Sequence, residues 1–108
     1  MSRDLESLID IVDSINIIRQ YTANTSKDEL ATDLKTQDAV LRRITIIGEA
    51  TKRLSTEFRS QHSSIPWKEI AGMRDVITHD YDEVNINEVW DVVCHDLPKF
   101  LEDIQPLM

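Results

Sequence analysis

The stretch TQDAVLRRITIIGEATKRLSTEF, residues 36 to 58, has the clearest periodic pattern in the chain. Its apolar side chains recur every three, four or seven residues, which is the spacing of one face of an α-helix. That face consists of Val40, Ile44, Ile47, Leu54 and Phe58, while Arg42, Glu49, Lys52 and Arg53 lie opposite or nearly so. The pattern predicts a long amphipathic helix from about Thr36 to Phe58.

Gly48 interrupts this helix. Glycine within a helix costs about 1 kcal/mol relative to alanine. It therefore indicates a close approach by another backbone or by a large side chain.

Four further helices are predicted around the long one. They run from about Arg3 to Tyr21 with Ser2 as the cap, from the capping box Ser26–Glu29 to about Lys35, from Pro66 to about Thr78, and onward from Asn85 or Asn87 with a kink at Pro98. The segment RSQHSSIP, residues 59 to 66, is expected to be a polar link. With two glycines and three prolines in 108 residues, the chain is expected to be all-α, a single-domain bundle of about five helices over residues 1–108.

The first helix carries more apolar residues than one face requires. Leu5, Leu8, Ile9, Val12 and Ile15 form one stripe, and Ile11 and Ile18 widen it. Such a helix should bury two sides. It is expected to lie centrally in the bundle or to contribute to a subunit interface.

The composition of the chain bears on its cellular compartment and on whether it binds a metal. The lone cysteine, Cys94, cannot form an internal disulfide and is expected to be small and buried, and no leader or membrane-spanning stretch is evident. A cytoplasmic protein without membrane association is predicted. Because His62 and His95 lack a metal-ligand spacing with Cys94, no metal or other cofactor is expected.

The net charge of −8 argues against nucleic-acid binding when it is taken over the whole chain. Residues 35 to 74 differ, since they carry eight basic and four acidic side chains. This distribution permits a local cationic surface, although helical charges often only solvate an outer face.

The stretch MRDVITHDY, residues 73 to 81, places Arg74, His79 and Tyr81 at the end of an apolar helical stripe. In a continuous helix Arg74 and His79 would be separated by about 140° around the axis and about 7.5 Å along it, so they would not meet. For both to act on one group, the helix must end near Thr78 or a second copy of the chain must complete the site.

Two interpretations of this stretch remain open from the residues alone. Arginine can bind phosphate oxygens with its planar fork and histidine can transfer a proton near neutral pH, so the pair suits RNA cleavage without a metal. Alternatively, Arg74 forms surface ion pairs with neighbouring aspartates, His79 caps the helix and Tyr81 is a core residue.

The spacing Arg74-x4-His79-x-Tyr81 resembles the signature of HepT-like toxins, which belong to the HEPN superfamily of small helical ribonucleases. Three blocks carry the resemblance, namely AVLRRITIIGEATKRLS at 39–55, IPWKEIAGMRDVITHDY at 65–81 and VWDVVCHDLPKFLEDI at 89–104. Together they cover nearly the whole chain.

The resemblance implies a homodimer in which two copies of the motif share a cleft that cleaves RNA without a metal. By position, Arg74 would hold the scissile phosphate and His79 would be the acid or base. Asp75 would orient them, although asparagine is frequent at that position in the family and an aspartate adds negative charge. Glu49 would face the same site or have only a surface role.

The resemblance also implies a partner. Such toxins are typically paired with a nucleotidyltransferase antitoxin of the MNT type, which binds the toxin and adds AMP to the motif tyrosine, here Tyr81. The alternative is a non-catalytic HEPN module that binds a nucleotide or a nucleotidyltransferase. The acidic total charge and the carboxylates around the motif, Asp75, Asp80, Asp82 and Glu83, favour that alternative.

Overall fold

The chain folds into helices of very different lengths. The computed structural model describes residues 3–79 and 83–108. Its α-helices are α1 (Asp4–Thr22), α2 (Lys27–Ala31), α3 (Leu34–Arg53), α4 (Thr56–Gln61), α5 (Trp67–Ala71), α6 (Met73–Ile77), α7 (Ile86–Asp91) and α8 (Leu97–Ile104). Two short strands, β1 (Thr78–His79) and β2 (Glu83–Val84), lie between α6 and α7. The predicted all-α class is confirmed.

The core forms mainly where α1 packs along α3. From α1 it takes Leu8, Ile11, Ile15 and Ile18, and from α3 it takes Val40, Ile44 and Ile47, all at most 1% exposed. The stripe predicted on α1 is therefore partly wrong. Leu5 and Ile9 are 52% and 42% exposed, because the buried face of α1 is rotated toward Ile11 and Ile18.

The long helix is shorter than predicted, and a contact with α1 accompanies its end. α3 ends at Arg53, and Leu54 adopts an extended backbone. The Asp4 carboxylate then accepts hydrogen bonds of 2.8 Å from both the backbone N–H and the hydroxyl of Ser55. Ser55 in turn caps a separate helix, α4, so Phe58 is not on α3 and part of the predicted polar link is helical.

Gly48 lies where α5 crosses α3. A Cβ atom at Gly48 would come within 3.1 Å of the carbonyl oxygen of Ala71, a contact tighter than ordinary van der Waals packing. The close approach predicted from the sequence is confirmed. Gly72 then separates α5 from α6, so the helix predicted from Pro66 to Thr78 is divided in two.

The last helical segment contains an irregular turn. Asn85, one of the two predicted starts, caps α7, residues 92–96 form a π-helical turn, and Pro98 lies in the first turn of α8. The prediction that Cys94 is buried is wrong, because this turn leaves its thiol exposed. The predicted capping box is present, with Ser26 and Glu29 each accepting the other's backbone N–H.

No helix in the described part of the chain is both long enough and apolar enough to cross a membrane.

Candidate active site

The motif helix α6 ends within the stretch that the sequence marked. The carbonyl of Arg74 accepts a hydrogen bond from the backbone N–H of Thr78 and a second one, of 2.9 Å, from its hydroxyl. Thr78 has an extended backbone with φ −104° and ψ 125°. The helix therefore stops before His79, which is one of the two arrangements that the spacing of the motif allowed.

A short hairpin follows the helix. Thr78 pairs with Val84 and His79 with Glu83 in antiparallel register, and the N–H of Asn85 donates to the carbonyl of Ile77 at 2.8 Å. The backbone of His79 is thus fixed in a strand next to the end of α6. Tyr81 lies outside the described residues.

The first and last residues of α6 are buried, and the three between them are exposed. Met73 is 5% exposed and Ile77 is fully buried, whereas Arg74, Asp75 and Val76 are exposed. Two apolar anchors therefore fix the helix on the core and leave the arginine at the surface.

Arg74 borders an open groove of about 510 Å³ between α3 and the hairpin. One wall is a row of α3 side chains, Asp38, Leu41, Arg42 and Thr45; the other is formed by Arg74, Thr78 and Val84. The wall on α3 is about 10 Å long, because seven residues separate its first and last members. Of the side chains that the structure describes, two guanidinium groups and one carboxylate thus border the same cavity.

The other predicted site residues differ in their positions relative to Arg74 and the groove. Asp75 is exposed in the first turn of α6, beside Arg74. Glu49 is exposed on α3 one turn beyond Thr45, but it is not among the residues that line the groove. The side chains of His79 and Tyr81 lie outside what the structure describes, so their positions relative to Arg74 stay predictions.

Arg42 lines the groove, but no sequence pattern marked it as a site residue. The helical pattern placed Arg42 on the solvent face of the long helix, which is correct. The signal that could have found it is the excess of basic residues between positions 35 and 74. An excess of basic residues does not identify which of them borders the groove, because it contains no information about which side of α3 faces the motif.

The remaining histidines and the cysteine are separate from the groove. His62 packs against Phe58 in a tilted arrangement with ring centroids 4.8 Å apart, and His95 lies 3.9 Å from the Asp91 carboxylate. Partial burial and the nearby Asp91 raise the pKa of the Cys94 thiol. Across residues 3–79 and 83–108, no three His, Cys, Asp or Glu side chains are grouped so that they could hold a metal ion.

Comparison with known proteins places the chain in a family. The model of the family described as "Ribonuclease HepT-like" matches residues 11–107. The chain therefore belongs to the HepT-like ribonuclease family, as its motif and three blocks predicted.

Curated relatives agree with the family match. A protein of Methanocaldococcus jannaschii named "Gamma-glutamylcyclotransferase and putative RNase" is 43% identical over 109 residues, which are 100% of this chain and 49% of that protein. The chain thus spans about half the length of this relative. "Probable ribonuclease HepT" of Thermococcus cleftensis is 40% identical over 91 residues, 84% of this chain and 83% of the relative. No solved structure gave a significant match.

Proposed function

We propose that the protein is an endoribonuclease that cleaves RNA without a metal, and that it is the toxin of a cytoplasmic toxin–antitoxin pair. The main support for the proposal is that the family motif lies at an exposed helix end that borders a groove. Arg74 is exposed at the rim of a groove, and the helix ends before His79. Family membership and the names of the relatives support RNA as the substrate.

The proposed reaction is an attack by the ribose 2′-hydroxyl on the adjacent phosphorus. A P–O2′ bond forms while the P–O5′ bond breaks, which leaves a 2′,3′-cyclic phosphate and a 5′-hydroxyl. His79 takes the proton from the 2′-oxygen or gives one to the departing 5′-oxygen. Arg74 binds the non-bridging oxygens and stabilises the negative charge that develops on the phosphoryl group.

Asp75 and Glu49 have supporting roles in this proposal. Asp75 orients the arginine and the histidine, and its negative charge moderates the affinity for RNA. Glu49 supports the site from α3, one turn beyond the groove. The proposal depends less on these two residues than on Arg74 and His79.

A homodimer completes the proposed site. One histidine cannot act as base and acid in the same step, whereas two copies of the motif at a shared cleft supply both. Support for an interface comes from α1, where Leu5 and Ile9 are exposed apolar residues and Val12 is partly buried beside the core.

The proposed antitoxin is a nucleotidyltransferase of the MNT type. It transfers AMP from a nucleoside triphosphate to the hydroxyl of Tyr81 and releases pyrophosphate. The added phosphodiester carries a negative charge within the motif, so one modification would obstruct RNA by bulk and by repulsion. Incubation with the nucleotidyltransferase and ATP should raise the mass of the chain by one AMP and inhibit it, while Tyr81→Phe should stay unmodified.

Cleavage of a fluorescent RNA in the presence of a chelator tests the enzymatic proposal. His79→Ala and Arg74→Ala should each lower the rate by about 10²-fold or more, because each removes a group that acts in the transition state. Circular dichroism and sedimentation would establish that both variants remain folded and retain the wild-type assembly. Undiminished cleavage by folded His79→Ala would refute the proposal.

A non-catalytic module is the second candidate, favoured by the net charge of −8 and by the carboxylates near the motif. It predicts binding of a nucleotide or of the nucleotidyltransferase that survives His79→Ala, with no cleavage by the wild type. Growth arrest on expression of the active chain alone, but not of His79→Ala, would favour the ribonuclease.

A further inference from the structure

Arg42 shares the groove with Arg74 although 32 positions separate them in the sequence. It lies near the middle of the α3 wall, one turn after Asp38 and about one turn before Thr45. Its side chain is exposed. The fold therefore brings a second guanidinium to the cavity that the motif arginine borders.

Within the described part of the chain, no ion pair or hydrogen bond involves the Arg42 side chain. Asp38 lies on the same face of α3 one turn away, at a spacing that often allows pairing, yet the two groups are not within ion-pair distance. Arg53, by contrast, is paired with Asp10 at 3.2 Å. The Arg42 guanidinium thus retains its capacity to bind an anion.

The charge of α3 supports an anionic ligand. The helix carries five basic and two acidic side chains, although the whole chain has a net charge of −8. One of the acidic groups, Asp38, also lines the groove and partly offsets the two arginines. Among the described residues, its walls nevertheless carry two positive side chains and one negative one.

We propose that Arg42 is a substrate-binding residue that holds an RNA phosphate next to the one held by Arg74. This inference rests on the proposed function and extends it from the motif to α3. Guanidinium groups suit the task because their planar fork matches two phosphate oxygens. A second phosphate contact would fix the direction of the strand through the groove.

The groove also provides apolar surface beside these charges. Leu41 and Val84 are partly buried against the core and leave part of their surface in the groove, on opposite walls. They can contact a ribose or a base while Arg42 and Arg74 bind the backbone. Because phosphate contacts carry no sequence information, Arg42 should contribute affinity and register rather than base preference.

The salt dependence of RNA binding tests the proposal. The measurement is the affinity for a fluorescent single-stranded RNA over a range of salt concentrations, made in the His79→Ala protein so that the RNA stays intact. Loss of one phosphate contact reduces the slope of log K against log salt by about 0.7 for a single strand. Arg42→Ala should show this change and should weaken binding about tenfold or more at low salt.

Lys52→Ala is the matched control. Lys52 is exposed on the same helix, lies ten residues beyond Arg42 and does not line the groove, so its removal changes the net charge equally. It should leave the salt slope unchanged. Arg42→Lys should keep the slope but bind more weakly than arginine, because an ammonium lacks the fork. Equal slopes for Arg42→Ala and Lys52→Ala would overturn the proposal.

Cleavage assays separate this inference from the proposed function. If wild type cleaves RNA and Arg42→Ala behaves like Lys52→Ala in both rate and binding, the role of Arg42 fails while the ribonuclease stands. If RNA binding depends on Arg42 but no preparation cleaves RNA, the ribonuclease fails while the binding role stands. Thermal melting would show that each variant is folded.

Discussion

At the scale of single residues, two positions show how the local environment determines behaviour. Gly48 lies in a contact that its own helix does not reveal, since a Cβ atom there would come within 3.1 Å of the Ala71 carbonyl oxygen. Cys94 is exposed although it directly follows two buried valines, and it lies within the π-helical turn. Each of these positions gives a testable prediction.

Gly48→Val should destabilise the fold by about 1–3 kcal/mol, the usual cost of overpacking. The valine cannot fit unless α5 moves away from α3. Chemical denaturation would measure the change in the free energy of unfolding. Lys52→Val, which adds the same β-branched residue at an exposed position of α3, should cost clearly less. Similar costs for the two variants would contradict a close approach at Gly48.

The Cys94 thiol should react slowly with iodoacetamide at neutral pH. Partial desolvation and the Asp91 carboxylate raise its pKa, and only the thiolate is nucleophilic. The reaction rate should therefore keep rising at pH values where a free cysteine, with a pKa of about 8.5, is already levelling off. Asp91→Asn should shift this profile to lower pH, and mass spectrometry would follow the alkylation. A profile centred below that of free cysteine would contradict the assigned environment.

At the scale of elements, the ends of helices decide how the motif is presented. Patterns within a segment predicted most of the helical regions, the capping box at Ser26 and a start of α7 at Asn85 or Asn87, but not the separate helix α4. They did not predict the end of α3 at Arg53, because the hydrogen bonds next to that end come from Asp4, about 50 positions earlier. Single-sequence patterns contain no information about such distant partners.

Asp4→Ala should lower stability by about 1–3 kcal/mol, because it leaves the partly buried N–H and hydroxyl of Ser55 without this acceptor. The measurement is again the free energy of unfolding. Asp13→Ala serves as the control, since Asp13 is an exposed carboxylate on the same helix. If the two substitutions cost the same, Asp4 does not hold the start of α4.

The candidate site also depends on contacts between segments that are distant in the sequence. The spacing of Arg74 and His79 left two possibilities, a helix end near Thr78 or a site completed by a second copy, and the helix does end at Ile77. Arg42 borders the groove only because α3 packs beside the hairpin, and no local sequence pattern contains that information. The roles of His79 and Tyr81 stay predictions from the motif.

At the scale of the whole molecule, the exposed face of α1 determines what the proposed dimer requires. Leu5 and Ile9 are exposed one turn apart on a helix whose opposite face is fully buried. A second copy that covers this surface would explain why α1 is more apolar than one face requires. This is the surface on which we expect the two subunits to meet.

Ile9→Glu should therefore dissociate the dimer. Because a two-fold interface repeats each substitution, the new carboxylates would be buried near each other, and such repulsion costs several kcal/mol. Sedimentation analysis should show a dissociation constant raised by about 10²-fold or more. Met108→Glu, at another exposed apolar residue, should leave the assembly unchanged. A wild-type monomer, or an unaffected dimer in Ile9→Glu, would contradict this interface.

We propose that Arg74 and His79 cleave RNA by metal-independent transesterification. The most direct measurement is mass spectrometry of the ends of RNA products formed with a chelator present. We predict 2′,3′-cyclic phosphate and 5′-hydroxyl ends from the wild type and no such products from folded His79→Ala. Products with 5′-phosphate ends, or identical products from both proteins, would contradict the claim.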